Sequence, residues 1–357
     1  MLKQYPTLRY ILQRGGWYFI TFVVAVAINF YLPRLGSNNP VKIIMGNTSQ
    51  GLSSEAVKEK EEKYLKEFGL VKVKNGNIVR NEDGSPVKAS ILEQFISYVG
   101  MCFKGDLGTS FQKYPKKVLD VIKEAVPWTI ALQLPTILFG WIVGNVLGAL
   151  AAYKRGIFDK VFFPISLLLS SLPFFVFGML LVYQFAVVWD CFPAMGGYAG
   201  DLIPTFSWAF FSSAAYHYVL PFFSIFLIAA GGQAIGMRSM GIYELGTDYI
   251  KYAKWLGLKE TRIIAYLFRN AMLPQLTGLA LSLGTMIGGA LITEMIFSYP
   301  GLGMAMLTAI QNNDYPMIQG CTLLITVCVL IANFTVDILI GFLDPRVKAG
   351  LQIGKGK

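Results

Sequence analysis

Apolar residues gather into six runs, near Gly16–Leu32, Trp128–Ala152, Phe162–Val188, Tyr218–Met237, Gln275–Phe297 and Ile318–Phe342. Each is long enough, or nearly so, to cross a hydrocarbon core of about 30 Å. Backbone in lipid must satisfy its own hydrogen bonds, so each run predicts a helix. Trp17, Tyr18, Trp128, Trp141, Trp189 and Tyr218 fall mostly near the ends of runs, as interfacial aromatics do. Pro135, Pro164 and Pro173 mark kinks or irregular backbone in the second and third runs.

The polar stretch between the first two runs has its own elements. Ser53-Ser54-Glu55 opens a charged helix that reaches about Phe68, and Gly69 stops it. Val71-Lys72-Val73-Lys74 alternates, Asn75-Gly76 turns and Ile78-Val79-Arg80 follows, which predicts a β-hairpin. A second turn at Asp83-Gly84 leads to a helix over Ile91–Phe103, with Leu92, Phe95, Ile96 and Val99 on one face. Val118–Val126 reads as a short helix ended by Pro127.

Between the fourth and fifth runs a simple pore needs only a short turn. The chain instead has the basic stretch Arg238–Pro274. Taken as a helix, Ile242–Gly257 lines up Ile242, Leu245, Tyr249, Tyr252, Ala253 and Leu256, with Glu244, Asp248, Lys251 and Lys254 largely elsewhere. Gly257 suits a left-handed stop. Glu260–Met272 then predicts a second helix closing on Leu273-Pro274. Periodicity alone leaves two readings open: a stiff docking element, or an amphipathic helix resting on lipid headgroups.

The composition, 54% hydrophobic and 15% charged, is that of a polytopic membrane protein. The net charge of +10 is a topology signal and not a nucleic-acid footprint. Of the 31 Lys and Arg, 15 lie in segment 34–126, whereas the short loops 189–217 and 298–317 have none. The rest sit at the two termini, at 154–160 and in 238–273. Short loops follow the positive-inside bias and long translocated ones need not, so both termini are expected in the cytosol and 34–126 outside. Lys3, Arg9 and Arg14 precede a run containing Ala25-Val26-Ala27, a signal-peptide-like site, but the run continues to Leu32 and reads as an uncleaved anchor.

The predicted fold is thus all-α and integral to the membrane. Six transmembrane helices carry a small mixed α/β extracytoplasmic domain between the first and second. Residues 1–33 form the cytosolic N-terminus and first span, 34–126 the outer domain, 127–343 the membrane core with the loop 238–273, and 344–357 a cytosolic tail.

Candidate chemistry is sparse. No metal-ligand spacing exists, His217 stands alone, and no nucleophile or paired-carboxylate arrangement points to an enzyme. A disulfide between Cys102 and Cys191 has no support from spacing. Glu294 either faces a path through the membrane, with Pro300, Gly301 and Gly303 as a gate beside it, or hydrogen-bonds the Pro300-Gly301 turn. Asp337, in the sixth run, calls for snorkelling or a partner Arg. Gly284, Gly288 and Gly289 suit close helix packing. There is no Gly-x-x-x-x-Gly-Lys-Ser/Thr loop, so ATP would have to be handled by another chain. No internal repeat appears, which disfavours a secondary transporter built of repeated halves.

From Gly246 onward the chain resembles the permease subunits of ATP-binding-cassette importers, and most closely the oligopeptide/dipeptide type. The resemblance rests on an ordered set of motifs: Asp248-Tyr249, Ala253 with Gly257-Leu258, Arg269-Asn270-Ala271-x-Leu273-Pro274, and Glu294 before Phe297. It continues through Pro300-Gly301-Leu302-Gly303, Asp314-Tyr315-Pro316-Met317-Ile318-Gln319-Gly320 and Asp344-Pro345-Arg346, and Gly105-Asp106-Leu107-Gly108-x-Ser110 fits upstream. The importer loop motif begins Glu-Ala-Ala; here those positions are Lys251-Tyr252-Ala253, so only the Ala and the following Gly257 match. Residues 71–87 look like an insertion.

The resemblance implies a coupling helix at 242–257, with Asp248, Tyr249, Tyr252, Ala253, Leu256, Gly257 and Leu258 meeting a separate ATPase. Arg269, Asn270, Leu273 and Pro274 form the motif behind it. It also implies a second, similar permease subunit (a heterodimer), one or two ATPase subunits holding ATP and Mg, an extracytoplasmic binding protein, and a bacterial or archaeal plasma membrane. No cofactor is expected on this chain. The subfamily carries oligopeptides, and some members carry oligosaccharides, nickel or opines.

Overall fold

The structure, a computed structural model, describes residues 6–31, 45, 53–67, 69–74, 77–154, 156–289 and 291–343. Among these residues twelve α-helices dominate: α1 (Pro6–Tyr31), α2 (Ser54–Glu67), α3 (Ile91–Phe103), α4 (Val118–Lys154), α5 (Gly156–Ser171), α6 (Phe174–Leu181), α7 (Trp208–Leu245), α8 (Asp248–Trp255), α9 (Glu260–Gly289), α10 (Leu291–Ile296), α11 (Leu302–Gln311) and α12 (Tyr315–Leu343). A π-helical turn, Val182–Val188, continues α6, and strands β1 (Val73–Lys74) and β2 (Asn77–Ile78) are antiparallel. Asn75-Gly76 and the Asp344-Pro345-Arg346 motif lie outside the described residues.

Among the described residues four helices are long and apolar enough to cross a membrane: α1, α4, α7 and α12. The pair α5 and α6 with its π turn makes a fifth, bent by 99° at a short break. Leu172-Pro173 forms that break, because proline removes a backbone donor. Some predicted boundaries need correction. The helix expected to end before Pro127 runs on as α4, with Pro127 and Pro135 inside it. The helix expected to close at Leu273-Pro274 also runs on, through Pro274 to Gly289. In both places the helix continues through the proline at the loss of one backbone hydrogen bond.

Contacts divide the chain into two compact units: Met1–Gly16, Val126–Met304 and Cys328–Lys357 in one, Trp17–Ala125 and Ala305–Val327 in the other.

In the first unit, α4 and α7 approach almost backbone to backbone. A Cβ on Gly144 would lie 2.5 Å from the Ala230 carbonyl oxygen, and Gly148 stands against Ala234 in the same way. Small residues four apart permit this in lipid, where dispersion rather than hydrophobic burial holds helices together. Gly284 faces Ala332 on α12 just as closely, so packing accounts for it. Asp337 has the Arg partner its position called for: Arg14 Nη1 lies 3.3 Å from its Oδ2.

In the second unit, α2 ends as expected, with Gly69 at φ +64° and Leu70 N–H donating to Leu65 O at 2.9 Å. Ser90 and Glu93 form a capping box at the start of α3. Its buried face is corrected: Tyr98 is buried, with Phe95, Val99 and Cys102 packed around Phe30 and Val26, whereas Leu92 and Ile96 are exposed.

Two stretches of the ordered motif set, far apart in sequence, meet on Asp314. This buried carboxylate caps α12 by accepting from Met317 N–H at 3.2 Å. It also accepts from Ser110 Oγ at 2.5 Å and from Gln112 N–H at 3.1 Å, and a Cβ on Gly108 would touch Pro316. Asp314→Ala strands these donors, at about 1–3 kcal/mol for each one left unpaired. Limited proteolysis of the purified protein should then cut within 105–117 much faster than in the wild type.

Candidate functional site

The stretch between α7 and α9 is held by interlocking local rules. The helix expected over 242–257 is corrected to two pieces. The long helix α7 ends at Leu245, where Gly246 N–H donates to Tyr243 O at 3.1 Å and Thr247 Oγ1 donates to Glu244 O at 2.5 Å. A threonine hydroxyl that captures a helix carbonyl competes with continuation of the helix. After Thr247 the chain restarts as α8, with Asp248 favourably placed in its first turn. At its far end Leu258 N–H donates to Ala253 O at 3.2 Å and Gly257 N–H to Lys254 O at 3.0 Å, with Gly257 at φ +67°. This is the double-bonded glycine stop that ends many helices.

The face of α8 turned to the rest of the chain carries Ile250, which lies off the apolar stripe, and Ala253, which lies on it. Ile250 and Ala253 are buried and pack with Ile263, Tyr153, Leu245 and Leu258. Tyr252, Trp255 and Leu256 point away, 63%, 78% and 74% exposed. Tyr252 and Trp255 lie against each other with tilted rings, their centroids 5.6 Å apart. The break at Gly246-Thr247 rotates α8 relative to the stripe read across it, and for that reason Ile250, absent from the stripe, becomes the anchor.

The motif behind α8 reaches forward to it. Asn270 Nδ2 donates to the Tyr249 hydroxyl at 2.7 Å, and that hydroxyl donates to the Glu244 carboxylate. Burial, and then the bond to Glu244, hold the Tyr249 phenol above its ordinary value, so it remains a donor at neutral pH. Asp248 pairs with Lys251 at 2.9 Å, and that bond holds its carboxyl below the usual range. Arg269 and Pro274 are exposed. Thus three helices, α7, α8 and α9, are tied through one phenolic oxygen. Tyr249→Phe removes both bonds, and activity of the assembled protein should fall several-fold while expression stays near wild type.

Glu294 lies fully buried on α10. Leu302 N–H donates to Thr129 Oγ1 at 2.9 Å, Thr129 Oγ1 donates to Glu294 Oε1 at 2.6 Å, and Gly303 N–H donates to Glu294 Oε2 at 2.5 Å. A Cβ on Gly301 would collide with the carboxyl group, and one on Gly303 would lie 2.6 Å from Leu291 Cα. Of the two readings left open, the second describes the geometry: the carboxylate holds the Pro300–Gly303 turn. Thr129, which follows Trp128 at the start of a span, carried no signal in the sequence for this role.

A second pair without a sequence signal ties α5 to α7. Arg238 Nε and Nη2 donate to the two oxygens of Asp159 at 2.5 and 2.6 Å, and the guanidinium lies 4.2 Å from the centre of the Phe163 ring.

Taken together, these features define a multi-pass membrane protein whose transmembrane helices carry a short, anchored helix with an exposed aromatic face. Residues 144–349 match the family described as the binding-protein-dependent transport system inner membrane component. The chain is 33% identical over 362 residues to the dipeptide transport system permease protein DppB of Escherichia coli strain K12, covering 96% of this chain and 99% of that one. It is 31% identical over 356 residues to the di/tripeptide transport system permease protein DppB of Pseudomonas aeruginosa, with 96% and 99% covered. It is also 30% identical over 345 residues to the dipeptide permease DppB of Bacillus subtilis, with 95% and 98% covered. The chain belongs to this family, the permease subunits of ATP-binding-cassette importers. Its partners are therefore, in general terms, an ATPase subunit and a substrate-binding protein.

Proposed function

We propose that this chain forms one half of the translocation path of an importer for short peptides, and that α8 is the element through which a separate ATPase drives it. The observation that carries the proposal is the two-sidedness of α8. Its inner face, Ile250 and Ala253, is fixed to three neighbouring helices, while Tyr252, Trp255 and Leu256 are presented outward and largely exposed. A helix that merely rested on lipid would not need a tie through Tyr249 and Asn270. Peptide cargo follows the names of the relatives. Oligosaccharides are the competing cargo within the same architecture, and an ATP-independent carrier is the competing mechanism.

In this reading six spans cross a bacterial or archaeal plasma membrane with both termini in the cytosol. The later part of α9, with α10, supplies the fifth span. The small α/β domain of 34–126 lies outside and meets the binding protein. A second, homologous permease completes the path, and ATP with Mg is held by the ATPase. Reconstitution with these partners should give ATP-dependent uptake of a labelled dipeptide into liposomes. Uptake of maltotriose but not dipeptide would overturn the cargo, and uptake by this chain alone without ATP would overturn the mechanism.

A further inference from the structure

We propose that Arg238 and Asp159 are positioning residues for transport: their ion pair makes α5, the first half of the bent span, move with the end of α7 from which α8 hangs. The inference rests on the coupling role given to α8 above.

Arg238 lies two helical turns before Leu245, where α7 ends. Asp159 lies in the first turn of α5. The two parallel N–H···O bonds, at 2.5 and 2.6 Å, fix both the distance and the plane of the guanidinium. Phe163, one turn further along α5, lies against the guanidinium at 4.2 Å. Both partners are well shielded, with side chains 20% and 15% exposed.

Further along the same two helices comes a second fixed point. A Cβ on Gly231 would lie 3.0 Å from the Ser166 carbonyl oxygen and 3.2 Å from Leu169 Cβ. Two attachments, about two turns apart, prevent α5 from sliding or rotating on α7. Along the rest of their length α5 and α7 pack side by side, and the ion pair adds directional bonds near the end of α7.

The ends of α5 show why the pair is needed. Gly156 enters it at φ +73°, and at the other end Leu172-Pro173 introduces the 99° bend. Neither junction is a continuous helix, so neither holds α5 in line. Beyond the bend, α6 packs on α7 and on the segment after Glu294 together: a Cβ on Gly178 would lie 3.5 Å from Ser224 Cβ and 3.3 Å from Phe297, the residue three positions after Glu294. The bent span thus rests on α7 on both sides of its bend, and its second half also packs beside the Glu294 turn. The ion pair ensures that displacement of α8 and α7 is delivered to the bend rather than lost in rotation of α5. Its partners are complementary charges on separate helices. A partly buried pair of this kind is a weak source of stability against apolar packing but a source of defined geometry.

The test uses the full transporter, reconstituted with its partners, and a labelled dipeptide. Asp159→Asn and Arg238→Lys are each expected to raise the ATP hydrolysed per dipeptide transported by about tenfold, with assembly unchanged. The Lys variant keeps the charge but loses the fork, so it separates geometry from simple neutralisation. Spin labels at Lys160→Cys and Tyr243→Cys, with the native cysteines replaced, should give one narrow distance in the wild type and a broad distribution in Asp159→Asn. A wild-type ratio and a narrow distance in both variants would overturn the inference. If a single variant fails to assemble, the double exchange Asp159→Arg with Arg238→Asp decides: recovery of assembly and coupling supports the inference, and assembly recovered with no coupling defect in Arg238→Lys overturns it. Should the wild-type complex itself show no ATP-dependent uptake, the functional reading fails instead, and the spin-label distance still reports on the strut.

Discussion

Gly257→Val should leave the protein inserted and assembled while separating ATP hydrolysis from transport. Gly257 sits at φ +67°, and no atom lies within 4 Å of where its Cβ would be. The penalty is therefore in the backbone and not in packing. A β-branched residue in the left-handed region costs about 1–2 kcal/mol, and the chain escapes this by opening the stop and turning α8 relative to α9. A penalty of that size changes a two-state balance roughly 5- to 30-fold. The variants should rank by left-handed tolerance, with Asn least affected, Ala intermediate and Val worst. Transport and hydrolysis measured on the same proteoliposomes check this. Normal coupling in the Val variant would show that the junction does not set the position of α8.

Gly301→Ala and Glu294→Ala should be the most destabilising single changes in the membrane core, for opposite reasons. In the first, a methyl group is driven into a carboxyl group that Thr129 and Gly303 already hold, and overpacking of this kind costs about 1–3 kcal/mol or more. In the second, the Thr129 hydroxyl and Gly303 N–H lose their buried acceptor, at about 1–3 kcal/mol each. Thermal unfolding of the detergent-purified protein should show both well below wild type. The double variant should lose less than the sum of the two, because removing the carboxyl makes room for the added methyl. Additive losses would contradict the contact.

Much of this was legible in the sequence because it rests on local rules. Apolar runs announced the helices at the four membrane-length spans and the bent fifth. Gly69 and Gly257 stop helices as glycine allows, and Glu294 before Pro300-Gly301 offered a held turn as one of two readings. What was not legible depends on three dimensions. Thr247 ends α7 by taking the Glu244 carbonyl, a competition that a stripe of apolar residues does not reveal, and Ile250, the anchor of α8, stood outside that stripe. Pro127 and Pro274 look like stops, yet the helix continues through each of them. Asp159 and Arg238 are 79 positions apart, and no periodicity joins them. The ordered motif set pointed to Tyr249 and Asn270 separately, but only the fold shows that they share a hydrogen bond.

A photoreactive amino acid placed at Trp255, which is 78% exposed at the tip of α8, probes the docking role in the working transporter. Irradiation during ATP-driven uptake should yield an adduct with the ATPase subunit whose amount changes with nucleotide. Adducts confined to phospholipid in every nucleotide state would contradict that role and leave α8 as a helix lying on the membrane surface.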